Sequence, residues 1–247
     1  MKFFKSTGFF YLAVFGLIEM VVRLDFVSVA LLPAPSQILK VFIEQPELIL
    51  SSFYRTSLIA TVAFFISSCF GFLLALTLHQ FPGALSKVTP ITLFFQTVPI
   101  IAIAPLLVIY FGFGLPVIFA AAIIVCFFPV FAATQIGLTQ VKKNQSELFF
   151  FLRARRWQKL IYLEVPSAVP IILAGLKTSA GLSVVGVVSG EFMSGGGLGA
   201  LIDSARMQQR VDLIFASLIC LSLLGLALMK GTEFIFRLLF KAYLAKI

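Results

Sequence analysis

The sequence predicts an all-α membrane protein of about six transmembrane helices, and three observations predict it. Of 247 residues, 60% are hydrophobic and only 12% are charged. No Asp, Glu, Lys or Arg interrupts the 54 positions between Lys87 and Lys142 (88 to 141). Apolar stretches long enough to span recur along the chain: a bilayer core of ~30 Å takes about 20 apolar helical residues. Backbone groups in lipid must bond internally, which favours helices over open sheets.

Taken in order, charges and helix breakers place spans near 8–22, 56–78, 89–111, 115–137, 168–189 and 213–236. An even number of spans puts both termini on one side. The segments expected there are basic: Lys2 and Lys5 give +2, Lys87 gives +1, residues 139–164 give +4 (six basic, two acidic), and the tail from Lys230 gives +3. The opposite loops sum to 0 over 23–55 and −1 over 190–212. Positive charge stays inside, so both termini are expected in the cytoplasm. The overall +9 is then explained by topology, without nucleic acid. Lys2 and Lys5 precede an apolar run as in a signal peptide, but no small-x-small site follows before Arg23, and the charge count requires that first helix to stay.

One membrane domain and no soluble domain are expected: an N-terminal helix within 1–30, an external segment over 31–52, and the main membrane unit over 53–240, from which 138–166 projects. In the external segment, LLPAPSQI begins at Leu31. There Pro33 and Pro35 hold the chain extended, and Ser36 is expected to cap a short helix reaching about Gln45. In the fifth span Gly175, Ser179 and Ser183 recur every four residues, as do Gly186 and Gly190. Such a stripe lets helices approach closely. Tight packing is its first reading and one wall of a translocation path its second.

Several chemistries are disfavoured. Cys69, Cys126 and Cys220 fall one per span without CxxC spacing and read as small core hydrophobes. His79 is the only histidine, so a histidine metal centre or catalytic dyad has almost nothing to be built from. No metal site and no catalytic residue is expected, since the spans hold no acid pair, HExxH or Ser-His set. The chain lacks GxxxxGK[ST], so it cannot hold ATP as a P-loop does. Among isolated charges, Glu19 and Arg23 are placed for a local ion pair, and Lys177 is expected to snorkel to the inner interface. Glu191 reads as a solvated acid just past the fifth span, with a substrate-facing role as the competing reading. Gly195 to Gly199 reads as a flexible loop.

The polar island between the fourth and fifth spans is the most distinctive segment. Asn144 followed by Glu147 resembles a capping box opening a short helix through Leu152. After Arg153 and Ala154, a second helix carries Trp157, Leu160 and Ile161 on one face, and Pro166 and Pro170 mark the return to the membrane. By periodicity alone, an interfacial helix on anionic lipid with Trp157 as anchor is an equal reading.

The island also resembles the cytoplasmic loop of binding-protein-dependent ABC transporter permeases, whose motif runs Glu-Ala-Ala, then Gly, then Leu-Pro. The matching positions are Glu147, Leu148, Phe149, then Arg153 in place of Gly, and Val165, Pro166. A glycine at that turn supplies positive φ, so an arginine there is expected to cost about 1 kcal/mol. LLPAPSQIL at Leu31, QTVPIIAIAPLLVIYFGFG at Gln96, Phe127-Phe128-Pro129 with Gly137-Leu138, and GLKTSAGLSVVGVVSGEFMSGGGLGALI at Gly175 resemble further landmarks of the nitrate, sulfonate and taurine type. The likeness covers about residues 30–240.

That resemblance implies a type I ABC importer permease fold in a bacterial cytoplasmic (inner) membrane. It implies a partner ATPase that binds ATP, a second copy of the chain as homodimer, and an external solute-binding protein; no cofactor of its own is expected. Glu147, Leu148, Phe149, Arg153, Ala154, Arg156, Trp157 and Pro166 are the expected ATPase-coupling residues, and Pro99, Pro105, Ser179, Ser183 and Glu191 the candidates for the path. The solute is expected to be a small nitrate-, sulfonate- or taurine-like anion or a vitamin precursor. The alternative, a self-sufficient secondary carrier or channel, needs ionisable residues within the spans, and almost none are present.

Overall fold

The computed structural model describes residues 2–28 and 31–240. The expected charges of Lys241 and Lys246, the side chains of Lys2 and Lys5, and positions 29 and 30 of the expected N-terminal unit lie outside the described residues. Helix α1 covers Lys2–Arg23, α2 Pro35–Glu44, α3 Pro46–His79, α4 Pro82–Thr97, α5 Ile100–Phe111 and α6 Leu115–Thr139. Then come α7 Lys143–Phe151, α8 Arg156–Lys159, a π turn Leu160–Glu164 running into α9 Val165–Ser194, α10 Gly197–Met207 and α11 Val211–Leu239. No strand occurs among the described residues. Among the described residues, four helical stretches are long and apolar enough to cross a bilayer: α3, α6, the continuous Arg156–Ser194, and α11.

The small-residue stripe decides how these helices assemble. Water does not drive helices together inside lipid, so close van der Waals fit must do so. A Cβ added to Gly186 would lie 2.6 Å from Cα of Ala122, and one on Gly190 2.6 Å from Cα of Ile118. Helices α6 and α9 therefore run backbone against backbone. Around them Ile59, Ala60 and Ala63 of α3, Val117, Ala121 and Ala122 of α6, and Val184 and Val187 of α9 form the central core. A second cluster joins α2, α3, α10 and α11 at one end, through Val41, Ile49, Leu198, Leu201 and Leu213. A third joins α6, α9 and α11 at the end that carries the island, through Leu138, Ala168, Ile172 and Phe236.

Three expectations need correction here. The third apolar stretch is two helices, parted at Val98, where Pro99 disfavours the α conformation and the backbone is extended at φ −77°, ψ 123°. Ser36 does not cap α2: Pro35 occupies the first helical turn and Ala34 is the N-cap, its N–H held by Oε1 of Gln37 at 3.0 Å. Instead, Ser36 donates from its N–H and its hydroxyl to Glu19 at 3.0 and 2.7 Å. Glu19 also takes the expected bond from Arg23 at 2.7 Å, so one carboxylate ties α1 to the start of α2. Lastly, Cys126 and Cys220 are core residues but Cys69 lies exposed on α3.

Candidate functional site

The island is built on a helix that its own chain leaves uncovered. Helix α7 buries no residue, and Phe150 and Phe151 are 81% and 79% exposed, followed by the exposed Leu152. Lys142 and Lys143 precede this apolar tip in the sequence, and Arg153, Arg155, Arg156 and Lys159 follow it. The expected Asn144 capping box is absent, because α7 starts two residues earlier: Lys142, not Asn144, is the N-cap, without a side-chain bond, and Glu147 approaches Lys143 at 4.0 Å.

Helix α7 ends where Arg153 stands, at φ +50°. The Ala154 N–H donates to the Phe149 carbonyl and the Arg153 N–H to the Phe150 carbonyl, both at 3.0 Å. This is a Schellman stop with its left-handed position occupied by arginine rather than glycine, so the expected positive φ is present. The second island helix is not separate. From Arg156 the chain runs helically through the π turn into α9, with Gln158 reaching back to accept the Arg155 N–H at 2.8 Å. Trp157, Ile161 and Tyr162 remain exposed along it.

The base of the island is anchored by residues that the sequence did not connect. Glu164 is buried, with Nε2 of His79 at 3.1 Å and Nζ of Lys159 at 3.4 Å. His79 is the last residue of α3, so this cluster joins the foot of the island to a neighbouring span. Lys177, expected to snorkel, instead meets Glu233 of α11 at 2.6 Å, and Arg237 shares that carboxylate at 2.7 Å.

At the opposite end lies a second polar centre. Glu191 has 0% exposure and sits within α9, which overturns its reading as a solvated acid. Thr56 of α3 donates its hydroxyl to the Glu191 carboxylate at 2.8 and 3.0 Å. Gly199 donates its N–H to Oε2 at 2.8 Å, and the Thr56 oxygen accepts the Leu198 N–H at 2.9 Å. The glycine run is shaped by this carboxylate, not left as a flexible loop. Gly195, Gly196 and Gly197 all have left-handed φ, at +83°, +86° and +66°. A Cβ on Gly197 would fall on the carboxylate itself, and one on Gly196 on the Arg55 guanidinium.

Of the other path candidates, Ser179 and Ser183 are fully buried. Ser179 donates to the Cys126 carbonyl on α6 at 2.8 Å and Ser183 to Ala180 at 2.8 Å, so this stripe packs against α6 and does not line an open path. Pro99 caps α5 and Pro105 lies within it, both exposed. The open space is elsewhere: a groove of about 550 Å³ between α5, α9 and α11, lined by Ile101, Val185, Val188, Phe192, Met193 and Leu221 among others. Its lining includes Ser189 and Ser222 but no charged side chain. The hydroxyls of both serines bond to their own helices, at Val185 and Leu218.

Residues 67–244 match a family model described as binding-protein-dependent transport system inner membrane component. The riboflavin transport system permease protein RibX of Chloroflexus aurantiacus is 37% identical over 134 residues, 54% of this chain and 50% of that protein. The match thus spans half of that relative's length. The formylaminopyrimidine transport permease protein ThiX of Halalkalibacterium halodurans is 34% identical over 204 residues, 79% of each chain. The putative aliphatic sulfonates transport permease protein SsuC of Bacillus subtilis is 31% identical over 220 residues, 82% of this chain and 74% of that one. Among solved structures, an inward-facing MetNI methionine ABC transporter chain superposes with a TM-score of 0.64 at 15% identity, over 78% of this chain and 98% of that chain. At that identity the likeness is one of fold.

Proposed function

The chain belongs to the binding-protein-dependent transport system inner membrane components, and from that premise we propose that its island is the surface gripped by a separate ATPase. The chain is the permease subunit of an ABC importer for a small solute, with the type I permease fold. The observation that carries the docking role is that α7 buries nothing while Phe150, Phe151 and Leu152 stand exposed. A helix this short is marginal alone in water, and a partner groove supplies the burial that its own chain does not. The cations around the tip set its orientation in that groove.

In this reading Glu147, Leu148, Phe149, Arg153, Ala154, Arg156, Trp157 and Pro166 belong to the coupling segment, and ATP is bound and hydrolysed by the partner. Both termini face the cytoplasm of a bacterial inner membrane. The chain pairs with a second copy of itself, and an external binding protein delivers the solute to the opposite face. The groove between α5, α9 and α11 is this subunit's share of the path, opened alternately to each side as ATPase closure moves the island. Its uncharged lining favours an uncharged ring compound of the vitamin-precursor kind over a sulfonate or nitrate, because an unpaired ion loses its hydration there without a counter-charge.

Expression with the ATPase and capture through a tag on this chain tests the reading. The wild type is expected to bring the ATPase down, and Glu147→Ala or Arg156→Ala to leave the protein inserted but cut ATP-dependent uptake. Uptake unchanged in both variants would count decisively against docking at the island.

A further inference from the structure

We infer that the Glu191 centre is the latch of a gate at the end of the groove remote from the island, and that Gly195 to Gly197 form its hinge; this rests on the groove being the path. Three helices meet there, through two side chains 135 positions apart and the backbone of a third element. Thr56 comes from α3, Glu191 from the last turns of α9, and Leu198 and Gly199 give the first N–H groups of α10. The partially positive helix start and the carboxylate complement each other. In the same helical turn, immediately after Glu191, Phe192 and Met193 line the groove, so whatever holds Glu191 also sets the position of those two side chains. The terminal residue of α9 is tied down as well: the Ser194 hydroxyl accepts the Gly114 N–H at 2.7 Å and donates to the Gly114 carbonyl at 3.0 Å.

The arrangement has the two parts that a switching element needs. Three consecutive left-handed glycines between α9 and α10 form a joint whose backbone moves without side-chain cost. The hydrogen bonds on the far side of that joint are few and discrete: the Gly199 N–H goes to the Glu191 carboxylate and the Leu198 N–H to the Thr56 hydroxyl that is bonded to it. Such an element has a closed state held by specific bonds and an open state reached through hinge rotation. Thr56 is the keystone, because its one hydroxyl donates to the carboxylate and accepts from α10. Thr56 and Glu191 are therefore positioning residues for transport: they touch no solute and act through Phe192 and Met193.

The test uses the complete transporter with its ATPase in whole cells. Val185, which lines the groove and is half exposed, is changed to cysteine after Cys69→Ser, Cys126→Ala and Cys220→Ala. A membrane-impermeant maleimide is then applied from outside. Thr56→Val is expected to raise the labelling rate about tenfold, the loss of a bond to a charged group, and to raise ATP hydrolysed per solute imported. Thr56→Ser is expected to restore both. Glu191→Gln keeps shape and one acceptor oxygen, and is expected to move both readouts in the same direction by less. Unchanged labelling in inserted Thr56→Val and Glu191→Gln, with uptake still blocked by the maleimide, would leave the path standing and remove the latch. Uptake that survives full modification of Val185→Cys would remove the path, and the gate with it.

Discussion

At the island end α7 buries none of its nine residues, whereas at the other end a carboxylate with no exposed surface finds its donors within the same chain. Glu191 is bonded to Thr56 and Gly199; Phe150 and Phe151 face outward. Both regions are rich in chemistry that a lipid bilayer does not tolerate bare, and they dispose of it differently. The Glu191 end is completed by the fold of one subunit. On the proposed docking, the island end is completed by the partner ATPase. Changes at the first should appear in the stability of the isolated subunit, and changes at the second only when the partner is present.

The largest effect that would sharpen this contrast is expected from Gly197→Ala. A side chain at φ +66° is strained, and its Cβ displaces a buried carboxylate from its donors. Together these should lower stability by about 3 kcal/mol, read as a fall in the midpoint of thermal unfolding of the purified subunit in detergent. A next, smaller effect tests the island. Phe150→Ser with Phe151→Ser should leave that midpoint unchanged, within about 0.5 kcal/mol, while reducing ATPase capture about tenfold or more, as for the loss of interface anchors. Destabilisation of the isolated subunit by that pair would break the comparison, since it would show that the tip packs within its own chain. The smallest effect is expected from Arg153→Gly. Removing a side chain from the left-handed stop of α7 should stabilise by up to about 1 kcal/mol and leave ATPase capture intact; loss of capture would assign the arginine a contact of its own.

Much of the architecture is legible in the sequence because lipid imposes a coarse rule, long apolar helices. The stretches near 56–78, 115–137, 168–189 and 213–236 lie within α3, α6, α9 and α11, and the stripe from Gly175 to Gly190 announces the close approach to α6 that the structure shows. The break at Val98 also has its signal, Pro99, but continuous hydropathy across 89–111 hides it. The polar centres are another matter. Glu191 depends on Thr56, 135 positions away, and Glu164 on His79, 85 positions away, and no local pattern reports such pairings. An acid embedded in GEFMSGGGLG is nonetheless a usable sign: glycines crowded after a carboxylate fit a backbone closing around it. In the island, capping logic misplaces the start of α7 by two residues, while the positive φ at Arg153 is anticipated through the glycine that the resembled family has at that position.

The π turn at Leu160–Glu164 has a consequence for the whole assembly. There the Val165 N–H reaches the Leu160 carbonyl, five residues back, so this part of the rod holds one residue more than an ordinary turn would. Deleting a single amino acid within it would restore regular winding while leaving the stretches on either side near their present azimuth, because the wide turn takes up the extra residue locally. On the proposed docking, the direction in which the tip is presented is therefore buffered at this turn against a one-residue change in length, whereas the same change in the regular turns of α9 would swing it by about 100° around the axis.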